Sequence, residues 1–276
     1  MKMKTKALVA AVSLAAAVQA NAAINADNAS FPGTGTGAGE LFLSVIDRGG
    51  SAPESYTLDL GITASAFRAN PNSFLGTTFA ADGNLNSLLT NNDGGTIHWN
   101  IAAANNADPS NGTDFLNYGY LTTSLSNLTP ANTPQGFTYI GAALQKLGSY
   151  VYNVNQAAGN SNVALNNSTL VNGGDAAFYD GPNWGNNWDG ASHGSEAALA
   201  ESMSMFFVGL DPADDTGATS RVDTFSGLWS LASNGSLTFA SAAAPVPLPP
   251  AVWLLGSALV GLVGVGRRRN TAGMAA

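Results

Sequence analysis

The chain has 276 residues, no cysteine and a formal net charge of −8. The lack of cysteine excludes disulfides, thiolate metal sites and cysteine nucleophiles. Six of the ten basic residues lie near the two ends, so residues 24–244 contain four basic and eighteen acidic side chains, a net charge of about −14. So acidic a region would repel phosphates, which excludes a nucleic-acid partner.

Residues 1–23 are predicted to be a secretory signal peptide. Lys2, Lys4 and Lys6 precede an apolar run at 7–18, and small residues follow at 20, 22 and 23. This is the layout that a secretion translocon and signal peptidase recognise, and we place the cleavage at 20–23. An uncleaved N-terminal anchor is the alternative, but a dozen or so apolar residues is short for a membrane span.

Residues 24–40 are small, polar and rich in glycine, which predicts a flexible lead-in. The domain is expected to occupy 41–244. Seven short runs of strand-forming composition lie in it, at 41–46, 55–60, 96–101, 118–124, 203–208, 224–231 and 236–239. Loops rich in Asn, Asp, Gly and Pro separate them. We therefore predict a mainly β fold, an antiparallel β-sandwich or jelly-roll-like domain, with a hairpin between the first two runs.

Two segments are predicted to be helical. In the longer one, 134–158, apolar residues recur at spacings of three and four: Phe137, Ile140, Leu144, Leu147, Val151 and Val154. This periodicity indicates one amphipathic helix packed on the sheet. A shorter helix is expected within 81–90.

Residues that could catalyse a reaction are few. His98 lies in a predicted strand and is interpreted as structural, and His193 lies in a glycine-rich loop. The chain contains neither a Gly-x-Ser-x-Gly elbow nor a His-x-x-x-His zinc motif. We therefore predict that the protein is not an enzyme. The alternative is a glycan hydrolase with paired carboxylates drawn from Asp180, Asp189 and Glu196, which requires two carboxyl groups about 5–10 Å apart in a cleft.

A loop at 180–189 is a candidate carbohydrate contact. Trp184 and Trp188 could offer flat faces to a sugar, and Asn186 and Asn187 could bind its hydroxyls. The other interpretation, which the sequence favours, is that both tryptophans fold back to seal one end of the domain.

A second loop is a candidate calcium site, because Asp211, Asp214 and Asp215 gather three carboxylates within five residues. Calcium binds several oxygens at about 2.3–2.6 Å. The spacing does not match the helix–loop–helix calcium motif, so a hydrated acidic turn is favoured. The sequence predicts no other cofactor.

The C-terminal segment 245–276 has the features of a membrane-spanning tail. Twenty residues from Val246 to Val265 carry no charge, and as a helix they would measure about 30 Å, enough to cross the hydrocarbon core. We predict the transmembrane helix at about 249–266, with Trp253 at the outer interface. The arginines that follow should stay in the cytoplasm, which places the domain on the outer side of the inner membrane.

This tail closely resembles the PEP-CTERM sorting signal of exported bacterial proteins, in its Val-Pro-Leu-Pro variant. The matching positions are a proline hinge, a Trp-Leu-Leu-Gly-Ser block and an arginine cluster, in that order: Val246, Pro247, Leu248, Pro249, Pro250, Trp253, Gly256, Ser257, Arg267, Arg268 and Arg269. Leu248 stands where the motif that names the family has glutamate. The domain also resembles, in composition and around 40–61, the β-rich domains that often carry this tail.

The resemblance implies recognition by an exosortase-type membrane enzyme, cleavage near the prolines, and association with exopolysaccharide or the cell surface. A single-span anchor that is never processed is the alternative. From the sequence we therefore expect an exported structural or binding protein of the cell surface or extracellular matrix. The hydrolase described above is the alternative function.

Overall fold

The computed structural model describes most of the predicted domain. The described residues are 23–27, 38–92, 94–107, 114–157, 168–180, 188, 195–214 and 216–241. The predicted signal peptide and the predicted sorting segment lie outside them. Among the helices in the described ranges, none has the length and hydropathy needed to cross a membrane.

Ten strands form a single antiparallel sheet. Their bounds are β1 (Glu40–Arg48), β2 (Glu54–Thr63), β3 (Thr78–Phe79), β4 (Thr96–Asn106), β5 (Tyr118–Ser124), β6 (Ser168–Asn172), β7 (Ala197–Ala198), β8 (Ser202–Leu210), β9 (Ser220–Leu231) and β10 (Leu237–Ala240). Nine of them follow the order β3-β10-β9-β8-β5-β4-β1-β2-β6, and β7 pairs with β4 beside this path. The sheet is curled, in the sense that strand twist accumulates over many strands.

The prediction of a mainly antiparallel β domain is confirmed, and so is the hairpin, since β1 pairs with β2. The two-sheet arrangement of a sandwich is not what the hydrogen bonds show, because all the described strands belong to one sheet. Helices pack against this sheet. Apolar side chains pack in two clusters, and consecutive residues of β1 alternate between them. Phe42 belongs to the first cluster and Leu43 to the second.

The longer predicted helix is confirmed as α3 (Gly136–Ala157). Its apolar stripe is buried in the first cluster except at one position: Phe137 is 42% exposed. There its ring stacks on Tyr118, with centroids 4.9 Å apart. The helix begins at Gly136 rather than at residue 134. Gly136 has φ of 72°, and a Cβ there would lie 2.8 Å from the Ala218 carbonyl oxygen, so only glycine fits.

Two short helices, α1 (Ala64–Ala69) and α2 (Gly83–Asn91), contribute to the second cluster. The second of them confirms the helix predicted within 81–90. Asp82 caps it, because its Oδ1 accepts from the Leu85 N–H at 2.9 Å. The ring of Phe67, a residue of α1, packs among aromatic side chains of β9, β10 and the turn after α1.

The start of the predicted lead-in is attached to the domain. Ile24 is buried, and both polar groups of its backbone bond to the Asn155 amide at 3.1 Å. Asp27 Oδ2 accepts from the Asn106 N–H at 2.8 Å. Hydrogen bonds and burial therefore attach Ile24 and Asp27 to the domain.

Candidate functional site

A charged cluster forms where β1 ends. Nη2 of Arg48, the last residue of β1, lies 2.8 Å from Asp180 Oδ1 and 2.9 Å from Glu196 Oε1. His98, on the neighbouring strand β4, has its Nδ1 4.0 Å from Glu196 Oε2. The Arg48 Cζ also lies 5.9 Å from the ring centroid of Tyr179. One guanidinium thus joins two of the three carboxylates that the sequence analysis selected.

Pairing of the neighbouring residues with the sheet positions Glu196 in this cluster. The next two residues form β7, which pairs with β4 at His98 and Trp99. The Trp99 indole N–H donates to the Ala198 carbonyl at 3.0 Å, and the Ala198 N–H donates to Glu201 Oε2 at 2.8 Å. These bonds fix the segment on the sheet, so the Glu196 side chain is directed toward Arg48.

The two carboxylates differ in their surroundings. The Glu196 side chain is 4% exposed and the Asp180 side chain is 49% exposed. Burial raises the pKa of Glu196, although Arg48 and the nearby Tyr179 hydroxyl act against the shift. Burial, followed by the nearby Glu196 charge, raises the pKa of Tyr179 well above its ordinary value. The cluster therefore holds one buried carboxyl group that binds its proton more tightly and one accessible carboxylate.

The carboxyl groups of Asp180 and Glu196 lie close together. Because both oxygens contact the same Arg48 nitrogen, they lie less than about 6 Å apart. A guanidinium nevertheless occupies the space between them. The third selected carboxylate, Asp189, lies outside the described residues.

No protein-family model, curated protein or solved structure matches this chain.

The resemblance of the tail to the PEP-CTERM signal therefore stays a prediction, and the sorting-motif residues lie outside the described ranges.

Of the four residues proposed to contact a carbohydrate, Trp188 is the one that the structure describes. Trp188 is 2% exposed and packs edge-on against Tyr120, with ring centroids 4.9 Å apart. Its ring belongs to the first cluster, which includes the apolar stripe of α3. The ring therefore presents no flat face to a sugar, as expected if this tryptophan folds back onto the domain. Trp184, Asn186 and Asn187 lie outside the described residues.

The candidate calcium loop is organised by its own hydrogen bonds. Asp214 Oδ2 accepts from the Ala218 and Thr219 N–H groups at 3.1 and 2.8 Å, and its Oδ1 accepts from the Thr216 N–H at 3.0 Å. Hydrogen bonds from the Thr216 and Thr219 hydroxyls, followed by those from the backbone N–H groups of the same two residues, lower the pKa of Asp214. Asp211 accepts from the Ala213 N–H at 2.9 Å.

Both aspartates thus stabilise the turn directly. Asp215 lies outside the described residues. Within the part of the chain that is described, no group of three or more acidic or histidine side chains is arranged to hold a metal ion.

Sequence reasoning missed the residue that joins the cluster. Arg48 follows a strand and precedes a glycine-rich turn, a position typical of a solvated side chain. Its partners are 132 and 148 residues away in the sequence. The one available signal was composition, since Arg48 is one of only four basic residues in the acidic region.

Proposed function

We propose that this is an exported protein whose β domain is displayed at the cell surface or in the extracellular matrix, where it has a structural or binding role. One observation carries the proposal: a proline hinge, an uncharged segment of spanning length and three arginines follow one another from residue 246 to 269. An exosortase-type enzyme is the proposed partner that processes this tail. The lack of cysteine and the strong negative charge of the domain are compatible with a soluble life outside the cell.

Mass spectrometry of the mature protein from membrane and medium fractions tests this proposal. We expect a released form that begins at residues 21–24 and ends near residues 244–250. Replacing Pro247 and Pro249 by alanine should leave an intact C-terminus in the membrane fraction. A chain truncated after residue 245 should reach the medium with no membrane-bound stage. An intact tail in every fraction of the unaltered protein would contradict processing.

A second candidate, a glycan hydrolase, is favoured by one specific observation. Glu196 is buried with a raised pKa, and a more exposed carboxylate, Asp180, lies less than about 6 Å away. In such a pair the protonated member can act as the general acid and the ionised member as nucleophile. Arg48 would have to move aside, or contact the substrate, for a sugar to reach both groups.

The Glu196→Gln variant tests this candidate. If the protein is a hydrolase, release of reducing ends from extracted matrix polysaccharide should fall about 100-fold or more, since a general acid contributes on that scale. Glu54→Gln is the matched control, because Glu54 has the same side chain, is the first residue of β2 and forms no ion pair with Arg48. If the unaltered protein releases no reducing ends, the hydrolase is excluded and the binding role stands.

A further inference from the structure

Two arginines from distant parts of the chain meet on one carbonyl group. Arg68 lies in the last turn of α1, and Arg221 is the second residue of β9. Their Nη2 atoms lie 2.6 and 2.8 Å from the carbonyl oxygen of Leu116. Since both nitrogens contact one oxygen, the two guanidinium groups are immediate neighbours.

The ring of Phe207, on β8, supports both guanidinium groups. The Cζ atoms of Arg68 and Arg221 lie 3.6 and 5.4 Å from its centroid, within the range of cation–π attraction. Gly119 and Gly209, which face each other across β5 and β8, leave the space that this ring fills. A Cβ at either position would lie 2.7 or 2.3 Å from a ring carbon. This platform therefore depends on a pair of glycines.

Neutral groups hold Arg68 in place. Its Nη1 donates to Asn117 Oδ1 at 3.1 Å. The side-chain amide of Asn105 is oriented so that its oxygen and its nitrogen both form hydrogen bonds. The oxygen accepts from Arg68 Nη1 at 2.6 Å, and the nitrogen donates to the Asn117 carbonyl at 2.7 Å. Amide and carbonyl oxygens orient a guanidinium group without cancelling its charge, so the positive charge of Arg68 persists.

The pair is incompletely neutralised. Among the described residues, Asp223 is the one carboxylate within ion-pair distance of either arginine, with Oδ2 3.3 Å from Arg221 Nε. Two cations thus share one anion. Burial, together with the neighbouring Arg221, lowers the pKa of Arg68 to about 10. Among the described residues, two guanidinium groups therefore face one carboxylate, in a domain that is otherwise strongly acidic.

Each of the two guanidinium groups has an N–H group available to a further hydrogen-bond acceptor. Neither Nε of Arg68 nor Nη1 of Arg221 makes a hydrogen bond to any group in the described ranges. Both side chains are partly exposed, that of Arg221 at 18%. Guanidinium forks bind carboxylates and other planar oxyanions through two parallel bonds. Within the described part of the chain, the arginine pair thus has N–H groups that one further oxyanion can accept from.

We propose that Arg68 and Arg221, on the Phe207 platform, bind a carboxylate group carried on a sugar, such as the uronate of an acidic polysaccharide. The choice of a sugar-borne carboxylate rests on the proposed role in the matrix, whereas the carboxylate chemistry rests on the arginine pair. Repulsion from the acidic domain is screened beyond about 8–10 Å at physiological salt.

The test measures binding of a polyuronate, polygalacturonate, to the mature protein by calorimetry, with neutral dextran as the reference polymer. Arg68→Gln and Arg221→Gln should each weaken polygalacturonate binding about tenfold or more. Lys146→Gln is the matched control, because it removes one positive charge from α3 and should leave binding unchanged. Asp223→Asn removes the competing carboxylate, so it should tighten binding several-fold. Misfolding would not produce such a gain.

Three outcomes would overturn the site: no binding of polygalacturonate by the unaltered protein, equal loss in Lys146→Gln and Arg68→Gln, or no gain in Asp223→Asn. Thermal melts of each variant identify any that fail to fold, and Arg221→Lys, which keeps the charge but loses the fork, then replaces Arg221→Gln. Failure of the site leaves the export proposal intact, since that proposal is tested by the termini of the secreted chain.

Discussion

Replacing Phe67 by alanine should lower the free energy of unfolding by about 3–5 kcal/mol, the usual cost of removing a buried aromatic ring. Phe67 is fully buried. Its ring centroid lies 5.4 Å from those of Phe225 and Phe239, and 5.8 and 6.3 Å from those of Phe74 and Trp229. Because α1 reaches β9 and β10 through this one ring, truncation would leave a cavity that the surrounding strands cannot close.

Urea denaturation followed by circular dichroism measures the effect as a lower midpoint with an unchanged slope. Phe137→Ala is the matched control, since the same ring is removed from a position that is 42% exposed. That variant should lose about 1 kcal/mol, mainly its stacking on Tyr118. Equal losses in the two variants would show that the aromatic group around Phe67 is not a core.

The Asp59→Asn variant should be more stable than the unaltered protein at pH 7, by about 2–3 kcal/mol. Burial raises the pKa of Asp59 from 3.8 to about 6, and the nearby charge of Glu40 adds to the shift. At neutral pH the folded protein must therefore hold a carboxylate that is only 5% exposed. Asparagine keeps an oxygen to accept the Gly61 N–H, which Asp59 Oδ1 receives at 2.7 Å, and it removes the buried charge.

The sign of the pH dependence follows from proton linkage. Between pH 4 and 6 the folded protein binds the Asp59 proton and the unfolded chain has lost it, so stability from this group falls as the pH rises. The advantage of Asp59→Asn should thus be near zero below pH 4, grow through pH 6 and then level off. Asp175→Asn is the control: Asp175 is exposed and also accepts a backbone N–H two residues later. A constant difference across pH would contradict the linkage.

The elements with a local pattern were predictable from the sequence. The stripe of α3 depends on spacings of three and four within one segment, and the hairpin of β1 and β2 depends on one short turn. Whether the strands form one sheet or two depends on pairings between distant segments, such as β5 with β8. No local signal encodes that choice. The attachment of Ile24 was hidden for the same reason, since its partner Asn155 lies on α3.

The charged sites show the same limit. Asp180 and Glu196 could be selected because acidic residues in loops are few enough to compare one by one. Their common partner Arg48, and the meeting of Arg68 with Arg221, require the fold. The two glycines that make room for Phe207 lie in ordinary strand sequences, Tyr-Gly-Tyr at 118–120 and Val-Gly-Leu at 208–210. Only their register reveals that they are adjacent.

The strands at the two ends of the sheet are short: β3 has two residues and β6 has five. An end strand with many unpaired backbone groups would be a template on which a second molecule could add its own strand. These ends leave little backbone available for that reaction. Even at high protein concentration, strand addition at these two described ends of the sheet is therefore disfavoured.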